Sequence, residues 1–417
     1  MFEKWDIPDN ICDNYPIGLN SLDLFVGHSR QTKFLSDLLS NKSVVILEGE
    51  IGVGKTSMGN YIRHSKKDFF SPFLEIPCKP KWDNDTFMGI VLAAIIKEIM
   101  RSESSYKKLR KHETIQEINE RFSDIKLANL GITGAGFGIS KGSGLSRSSL
   151  INQTILIDYL VKVGQIIQEH YHQSAPIIIQ VNNLDIQYSF SEDDLIRFFN
   201  DIRDTLQIPN ISWIICGDTG LGNFLEKNVP RVGQVINTVM TVDPLSLDEI
   251  LNAFALRIKK ANMKGKFPVE PGLLKIIYDI SNGSFREILN ITYQLLVRYY
   301  NEPLMTTITS EHARFFFYEM GKQNVDKLKR SNIQYPVFEA VLNNPGINQK
   351  KLSNLVNKQQ SNVSRVTKEL EALGYISIKK KGRVNYYYPD IKYHIGFSQK
   401  GSATPTEEGP SDHPSAH

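Results

Sequence analysis

Short, strongly hydrophobic runs alternate with helical patterns in the first half of the chain. The runs are rich in Val and Ile. Between them, apolar residues recur every three or four positions, as at Ile155, Tyr159 and Val163. Buried strands separated by amphipathic helices predict a mostly parallel sheet covered on both faces, which is an α/β fold. The predicted strands are residues 43–48, 72–78, 176–181, 211–216 and 236–241.

The pattern changes twice in the second half of the chain. From 244 to 318 it is helical only, and it begins with Ser246 as a helix N-cap before two acidic residues. From 332 onward, three short amphipathic helices precede a hairpin with a basic tip, which predicts a winged helix. The predicted domains are an α/β core at 1–243, a small all-helical lid at 244–320, a linker at 321–331, a winged helix at 332–395 and a disordered tail at 396–417.

Two segments have compositions that do not favour a packed core. Residues 131–149 are rich in Gly and Ser, which predicts either a flexible loop or a hairpin that becomes ordered on a partner. Residues 401–417 contain almost no apolar side chains. Such a composition cannot bury enough surface to offset the entropy of ordering, so we expect this end to be disordered.

The overall composition is that of a globular protein with 41% hydrophobic and 23% charged residues. The longest apolar run, at 89–96, stops at Lys97 and is too short to cross a bilayer. The N-terminus lacks a basic-then-apolar export signal, and the three cysteines show no metal-ligand spacing. We therefore expect a cytoplasmic protein that does not interact with a membrane.

The basic residues are concentrated near the C-terminus. Between 332 and 398 there are ten Lys and Arg against four Asp and Glu, a net charge of +6, whereas the whole chain carries only +4. The remainder of the chain is therefore slightly acidic. A basic excess confined to one small domain is typical of a nucleic-acid-binding module, and we expect double-stranded DNA as a partner.

A phosphate-binding loop follows the first predicted strand. Residues 49–56 read G-E-I-G-V-G-K-T, and a helix begins directly afterwards. In such a loop the backbone N–H groups surround the β-phosphate, Lys55 reaches the β- and γ-oxygens, and Thr56 contacts Mg²⁺. We therefore predict that the chain binds ATP with Mg²⁺. The predicted nucleotide-binding residues are Gly49, Glu50, Ile51, Gly52, Val53, Gly54, Lys55, Thr56 and Ser57.

The acids that P-loop ATPases place after a neighbouring strand are missing here. The strand at 176–181 is followed by N-N-L-D, with Asn182 and Asn183 where two acids are usual. Asparagine cannot accept a proton, so the contribution of a general base, roughly 10²–10⁴-fold, would be lost. We expect hydrolysis to be slow or absent, and we expect Asp185 to face away from the site. The alternative is that Asp185, Asp201 or Asp204 substitutes.

Further motifs resemble those of AAA+ ATPases of the origin-recognition (Orc/Cdc-type) class and of STAND-like relatives. They are F-V-G-H-S-R-Q at 25–31, I-I-C-G-D at 214–218, D-P-L-S-L-D-E-I at 243–250 and S-N-G-S-F-R at 281–286. The resemblance implies that Asp218 or Thr219 senses the nucleotide, and that Arg286 reaches the γ-phosphate from the lid. It also implies that Arg231 acts as an arginine finger on a neighbouring copy in a homo-oligomer. Alternatively, Arg286 and Arg231 are solvated surface residues.

The C-terminal domain resembles a MarR-type winged helix. In its third predicted helix, Val363, Val366, Leu370 and Leu373 are expected to face inward, while the outer face is polar and basic. Small polar and basic side chains on such a helix suit contacts with phosphates and base edges in a major groove. The predicted DNA-binding residues are Gln360, Ser361, Asn362, Ser364, Arg365 and Lys368 on the helix and Lys379, Lys380, Lys381 and Arg383 on the wing.

Two functions are consistent with these features. In the first, an ATP-binding AAA+-type protein positions a partner machine on DNA, as in replication, transposition or antiviral defence, and bound nucleotide sets its conformation. In the second, a nucleotide-gated signalling or scaffold protein uses its winged helix to bind protein. A motor enzyme is disfavoured by Asn182 and Asn183. Both functions require a protein partner, which the sequence does not identify.

Overall fold

The computed structural model describes most of the chain. The described residues are 5–7, 11–101, 106–122, 153–171, 176–185, 189–261, 266–281, 283–381 and 384–397. The Gly- and Ser-rich segment at 131–149 lies outside them. The predicted tail at 396–417 also lies outside them, except for residues 396 and 397, which are helical and not disordered. The chain divides into two compact units, one of Asp13–Lys259 with Ser284–Arg286, and the other of Met1–Cys12, Lys260–Gly283 and Glu287–His417.

The first unit contains a five-stranded sheet in which every neighbouring pair is parallel. Its strand order is β2-β3-β4-β1-β5, so the strand that precedes the phosphate-binding loop lies between β4 and β5. The predicted α/β class is therefore confirmed. The strands are β1 Val44–Glu48, β2 Ile76–Pro77, β3 Ile177–Leu184, β4 Ile211–Gly217 and β5 Thr238–Thr241.

Helices cover both faces of this sheet, because alternate residues of the central strands enter two different apolar clusters. Ile177 and Ile179 belong to the larger cluster, which includes α3 and α6, and Ile178 belongs to a cluster with α1 and α2. None of the described helices is long and apolar enough to span a membrane. The helices are α1 Ser29–Leu39, α2 Lys55–Ser65, α3 Asn84–Arg101, α4 Lys107–Arg110, α5 Glu113–Phe122, α6 Gln153–Tyr171, α7 Glu192–Ile202, α8 Leu221–Asn228, α9 Pro230–Gly233 and α10 Leu247–Lys260.

The second unit combines helices with a small antiparallel sheet of order β6-β8-β7. The long helix α13 includes most of the segment predicted as a linker, and its Val325 and Leu328 join the apolar cluster of the winged helix. The elements are α11 Pro271–Ser281, α12 Phe285–Tyr299, α13 Ser310–Lys329, α14 Gln334–Asn343, β6 Ile347–Asn348, α15 Gln349–Leu355, α16 Gln360–Ala372, β7 Ile376–Lys381, β8 Val384–Pro389 and α17 Ile391–Phe397.

Helix α13 packs closely against α17 because glycines stand at the contact. A Cβ atom at Gly321 would lie 2.6 Å from the ring of Phe397, and one at Gly396 would lie 2.6 Å from the backbone nitrogen of Tyr318. A larger side chain at either position would therefore push the two helices apart. The C-terminal helix is thus an integral part of this unit.

The packing of α16 follows the sequence prediction with one exception. Val363, Val366 and Leu370 are buried, as predicted, but Leu373 is 60% exposed. The prediction for Leu373 is wrong because α16 ends at Ala372. Leu373 is the C-cap residue and lies at the edge of the apolar stripe formed by Val363, Val366 and Leu370, past the last residue of the helix.

We expect Leu370→Ala and Leu373→Ala to have very different effects on stability. Leu370→Ala should lower the free energy of unfolding by about 2–5 kcal/mol, because it leaves a cavity in the winged-helix core. Leu373→Ala should change it by less than about 0.5 kcal/mol, since the side chain is mostly in solvent. Urea unfolding of the full chain, followed by circular dichroism, measures both. Equal effects would contradict the packing described here.

Candidate nucleotide site and DNA-binding surface

The phosphate-binding loop connects β1 to α2 at the carboxyl edge of the parallel sheet. Gly52 and Gly54 have φ angles of +87° and +103°, in the region that favours glycine. Val53 between them is buried in the cluster beneath α2 and anchors the loop. The first N–H groups of α2, which have no carbonyl partner inside the helix, therefore lie beside the loop and can bind an anion.

The segment Ser284–Arg286 lies directly against the loop. A Cβ atom at Gly52 would be 2.7 Å from Ser284 Oγ and 3.1 Å from Arg286 Cβ. Gly52 is thus constrained both by its φ angle and by this close approach. The predicted sensor Arg286, more than 200 residues away in the sequence, is brought to the phosphate-binding loop, and its side chain is exposed.

Lys55 lies at the centre of the charged groups of this site. Its Nζ donates to the carbonyl oxygens of Gly49, at 2.7 Å, and Glu50, at 2.9 Å. Burial lowers the pKa of Lys55, and the guanidinium of Arg286 lowers it further, whereas Asp185 and Asp218 raise it. Lys55, Arg286 and the two carboxylates therefore belong to one site.

The two asparagines near the end of β3 have different surroundings. Asn182 is buried, and its Oδ1 accepts a hydrogen bond from Gln180 Nε2 at 3.1 Å. Gln180 Nε2 also lies 3.3 Å from the carbonyl oxygen of Thr56, so this face of β3 packs on α2. Asn183 is exposed and has a φ angle of +66°. Only Asn182 therefore points toward the phosphate-binding helix.

The expectation that Asp185 faces away from the site is wrong. Asp185 interacts electrostatically with Lys55 and with Asp218. Burial raises the pKa of Asp185, the charge of Asp218 raises it further, and Lys55 opposes both effects. The cause is an irregularity in the pairing of β3 with β4 between Val181 and Leu184. Asn183 was the available signal, because asparagine tolerates a positive φ angle better than most residues do.

A segment that the sequence analysis did not assign also contacts α2. The backbone N–H of Ile17 donates to Ser57 Oγ at 3.1 Å, and its carbonyl accepts from Asn60 Nδ2 at 2.9 Å. The N-terminal segment therefore crosses the first turns of α2, beside the loop. This contact could not be predicted from the sequence, since two backbone hydrogen bonds to a serine and an asparagine have no characteristic pattern.

The remaining predicted residues of the core lie in different places. Asp218 is buried directly after β4, next to Lys55, whereas Arg231 is exposed on the short helix α9. Within the described part of the chain, no group of three or more His, Cys, Asp or Glu residues could hold a metal ion alone.

The helix α16 presents the predicted polar and basic face. Gln360, Ser361, Asn362, Arg365 and Lys368 are exposed, and Ser364 is half-buried. Arg365 makes an ion pair of 2.6 Å with Glu369 one turn along the helix. Both side chains are exposed, so this pair is weak and leaves the guanidinium accessible to a phosphate.

The wing is the hairpin of β7 and β8. Lys380 is exposed, while Lys379 Nζ lies 5.7 Å from the centre of the Tyr388 ring. Such a cation–π contact fixes the lysine while its charge stays near the surface. The side chain of Lys381 and the whole of Arg383 lie outside the described residues. Lys379 and Lys380 are both in β7, which belongs to the same three-stranded sheet as β6.

The C-terminal segment matches a known family. Residues 337–377, which run from α14 to the start of β7, match the family model for winged helix-turn-helix DNA-binding. This segment is a winged helix-turn-helix. The predicted fold of the C-terminal domain is therefore confirmed. No curated protein matches the chain.

Solved structures that are similar over almost the whole chain include three archaeal proteins. Aeropyrum pernix ORC1, in complex with DNA, is 13% identical, with a TM-score of 0.41 and coverage of 94% of both chains. A. pernix ORC2, as ADPNP–ADP complexes, is 12% identical, with a TM-score of 0.46 and coverage of 92% of this chain and 94% of that one. Cdc6p of Pyrobaculum aerophilum is 15% identical, with a TM-score of 0.43 and coverage of 93% and 97%. These scores are low, so the fold assignment rests on the strand order and the elements described above.

Proposed function

We propose that this chain binds ATP and double-stranded DNA, and that bound ATP sets the conformation in which it positions a partner protein on DNA. The observation that carries the proposal is the packing of Gly52 against Ser284 and Arg286. A phosphate bound in the loop would contact Lys55 on one side and Arg286 on the other. The γ-phosphate would then be bound by Arg286, at the start of α12, and its presence would affect the position of that helix.

The loop fits ATP with Mg²⁺. A side chain at Gly52 would clash with the segment that carries Arg286, so the glycine allows this segment to lie close to the loop. Glycine also lets the backbone N–H groups of the loop approach phosphate oxygens. Thr56, on the first turn of α2, would place its hydroxyl on Mg²⁺. The metal ion would neutralise phosphate charge, and Lys55 and Arg286 would hold the terminal oxygens.

Slow or absent hydrolysis is part of the proposal. Asn182 is held by Gln180 and has no carboxylate, and Asn183 is exposed. Neither side chain can accept a proton from an attacking water. ATP would therefore act mainly as a ligand whose γ-phosphate connects the loop to Arg286.

DNA binding is assigned to α16 and the wing. Support comes from the winged helix-turn-helix match at 337–377, the exposed stripe of Ser361, Arg365 and Lys368, and the net charge of +6 between 332 and 398. Charge and polar side chains on one helix suit backbone and base-edge contacts in a major groove. A homo-oligomer, in which the exposed Arg231 acts on a neighbouring nucleotide, is part of the same proposal.

One experiment on the full chain tests the proposed function. DNA affinity is measured by fluorescence anisotropy without nucleotide, with ADP and with ATP, and phosphate release is measured in parallel. We expect DNA binding that changes on addition of ATP and very slow phosphate release. Arg286→Ala should still bind nucleotide, but its DNA affinity should be the same with ATP as with ADP. Arg298 is an exposed arginine on the same helix, and Arg298→Ala should behave like the wild type.

Three results would contradict parts of the proposal. An absence of DNA binding at low salt would favour a protein-binding winged helix. DNA binding that is identical with and without ATP would reject nucleotide control. Rapid steady-state turnover that Lys55→Ala abolishes would show that the chain is an active ATPase in spite of Asn182 and Asn183.

A further inference from the structure

The two faces of β3 can be followed residue by residue. Ile177, Ile179 and Val181 belong to the larger apolar cluster on one side of the sheet. Ile178 belongs to the cluster beneath α2, and Gln180 contacts Thr56 of α2. Even-numbered residues from 178 to 182 thus face the phosphate-binding helix. If this alternation continued, the odd-numbered Asp185 would lie on the opposite side.

An extra residue in β3 changes this outcome. Val181 pairs with Ile215 and Leu184 pairs with Gly217, so β3 advances three residues while β4 advances two. The bulge is accommodated by Asn183, whose φ angle is +66°. After the bulge, Leu184 lies in the larger cluster and the next residue, Asp185, returns to the face of α2. The bulge therefore places a carboxylate where the regular strand would place none.

The position of Asp185 is well anchored. Its carbonyl oxygen accepts hydrogen bonds from the backbone N–H groups of Ser189 and Phe190, both at 3.0 Å, and Phe190 is buried. Because Leu184 pairs with Gly217, the residues that follow them, Asp185 and Asp218, leave neighbouring strands at the same level. Both carboxylates act on Lys55, and Asp185 exerts the larger effect on the pKa of Lys55.

We propose that Asp185 holds the hydrated Mg²⁺ of bound ATP, the role that uncharged Asn182 and Asn183 cannot fill. This rests on the proposed nucleotide site. A carboxylate accepts hydrogen bonds from metal-bound water, and Mg²⁺ in nucleotide sites keeps several waters and uses only one or two carboxylates. The bulge at Asn183 would then orient Asp185 toward the nucleotide, and the site would still contain one carboxylate for Mg²⁺.

The test is a titration of Mg²⁺ at a fixed concentration of a fluorescent ATP analogue, with binding also measured in EDTA. In Asp185→Asn, we expect the Mg²⁺ concentration for half-maximal binding to rise about 10–100-fold, the usual cost of losing an outer-shell partner of a metal. Affinity in EDTA should stay close to that of the wild type. Asp201→Asn, an exposed aspartate on α7, is the matched control and should respond like the wild type.

A second pair of variants tests the bulge itself. Asn183→Val should raise the Mg²⁺ concentration for half-maximal binding although Asp185 is intact, because a β-branched residue disfavours a positive φ angle. Asn183→Gly tolerates that angle and should respond more like the wild type. Thermal unfolding checks that each variant is folded.

The outcomes separate this inference from the proposed function. If the wild type binds the ATP analogue and Asp185→Asn shows the same Mg²⁺ dependence, the role of Asp185 is wrong while the nucleotide site stands. If the wild type binds no analogue with or without Mg²⁺, both are wrong. An effect in Asp201→Asn equal to that in Asp185→Asn would also overturn the assignment.

Discussion

Lys55→Ala should weaken ATP binding by about 100-fold or more. Charge-assisted hydrogen bonds contribute about 1.5–3 kcal/mol each, and the ammonium of Lys55 can make more than one to phosphate oxygens. Its present partners are the carbonyl oxygens of Gly49 and Glu50, at the rim of the loop. The lysine therefore already lies within the loop and does not have to be recruited from solvent. Fluorescence titration with an ATP analogue measures the loss.

The matched control is Lys66→Ala. Lys66 follows the same helix, but its side chain is only half-buried and pairs with the exposed Asp37 at 3.3 Å on the surface. Its removal should leave ATP affinity within about twofold of the wild type, since an exposed ion pair contributes little. ATP binding that survives Lys55→Ala, or that is lost equally in Lys66→Ala, would show that the loop is not the nucleotide site.

The double variant Arg365→Ala with Lys368→Ala should lower DNA affinity by about 100-fold at low salt. The two side chains are exposed one turn apart on α16, and alanine preserves the helix. Each lost phosphate contact should also reduce the slope of log affinity against log salt by about one, so the double variant should lose about two. Anisotropy titrations at several salt concentrations measure both quantities.

Lys227→Ala provides the control for charge alone. Lys227 is exposed on α8 in the other compact unit, so its removal tests non-specific attraction to DNA. We expect no measurable change in the salt slope. An unchanged slope in the α16 double variant would mean that α16 does not contact DNA phosphates and would favour the protein-binding alternative.

Much of the fold could be predicted from the sequence because its signals are local. The apolar runs of β1, β3 and β4 and the glycines of the loop determine strand, turn and helix within about ten residues. The winged helix was equally accessible, since its helical periods and basic hairpin lie within one short segment. The error at Leu373 arose where the period ends, because a helix terminus depends on capping rather than on spacing.

The nucleotide site depends on more than local sequence. The sequence named Lys55, Thr56 and Arg286, but Gly52 meets Ser284 and Arg286 only because distant segments pack together. The prediction for Asp185 was wrong because the residues of β3 alone do not show the register shift between Val181 and Leu184. The pairing of β3 with β4, not the order of residues in β3, decides where the alternation shifts by one.

The sequence by itself determined that this chain has a phosphate-binding loop without the usual acidic pair and a basic winged helix. These features follow from residue type and spacing, which short-range backbone geometry converts directly into structure. Only the tertiary structure decided which carboxylates act on Lys55 and which arginine lies against the loop. The physical reason is that register and close packing are fixed between strands and helices far apart in the chain, so a one-residue bulge at Asn183 can reverse the direction of Asp185.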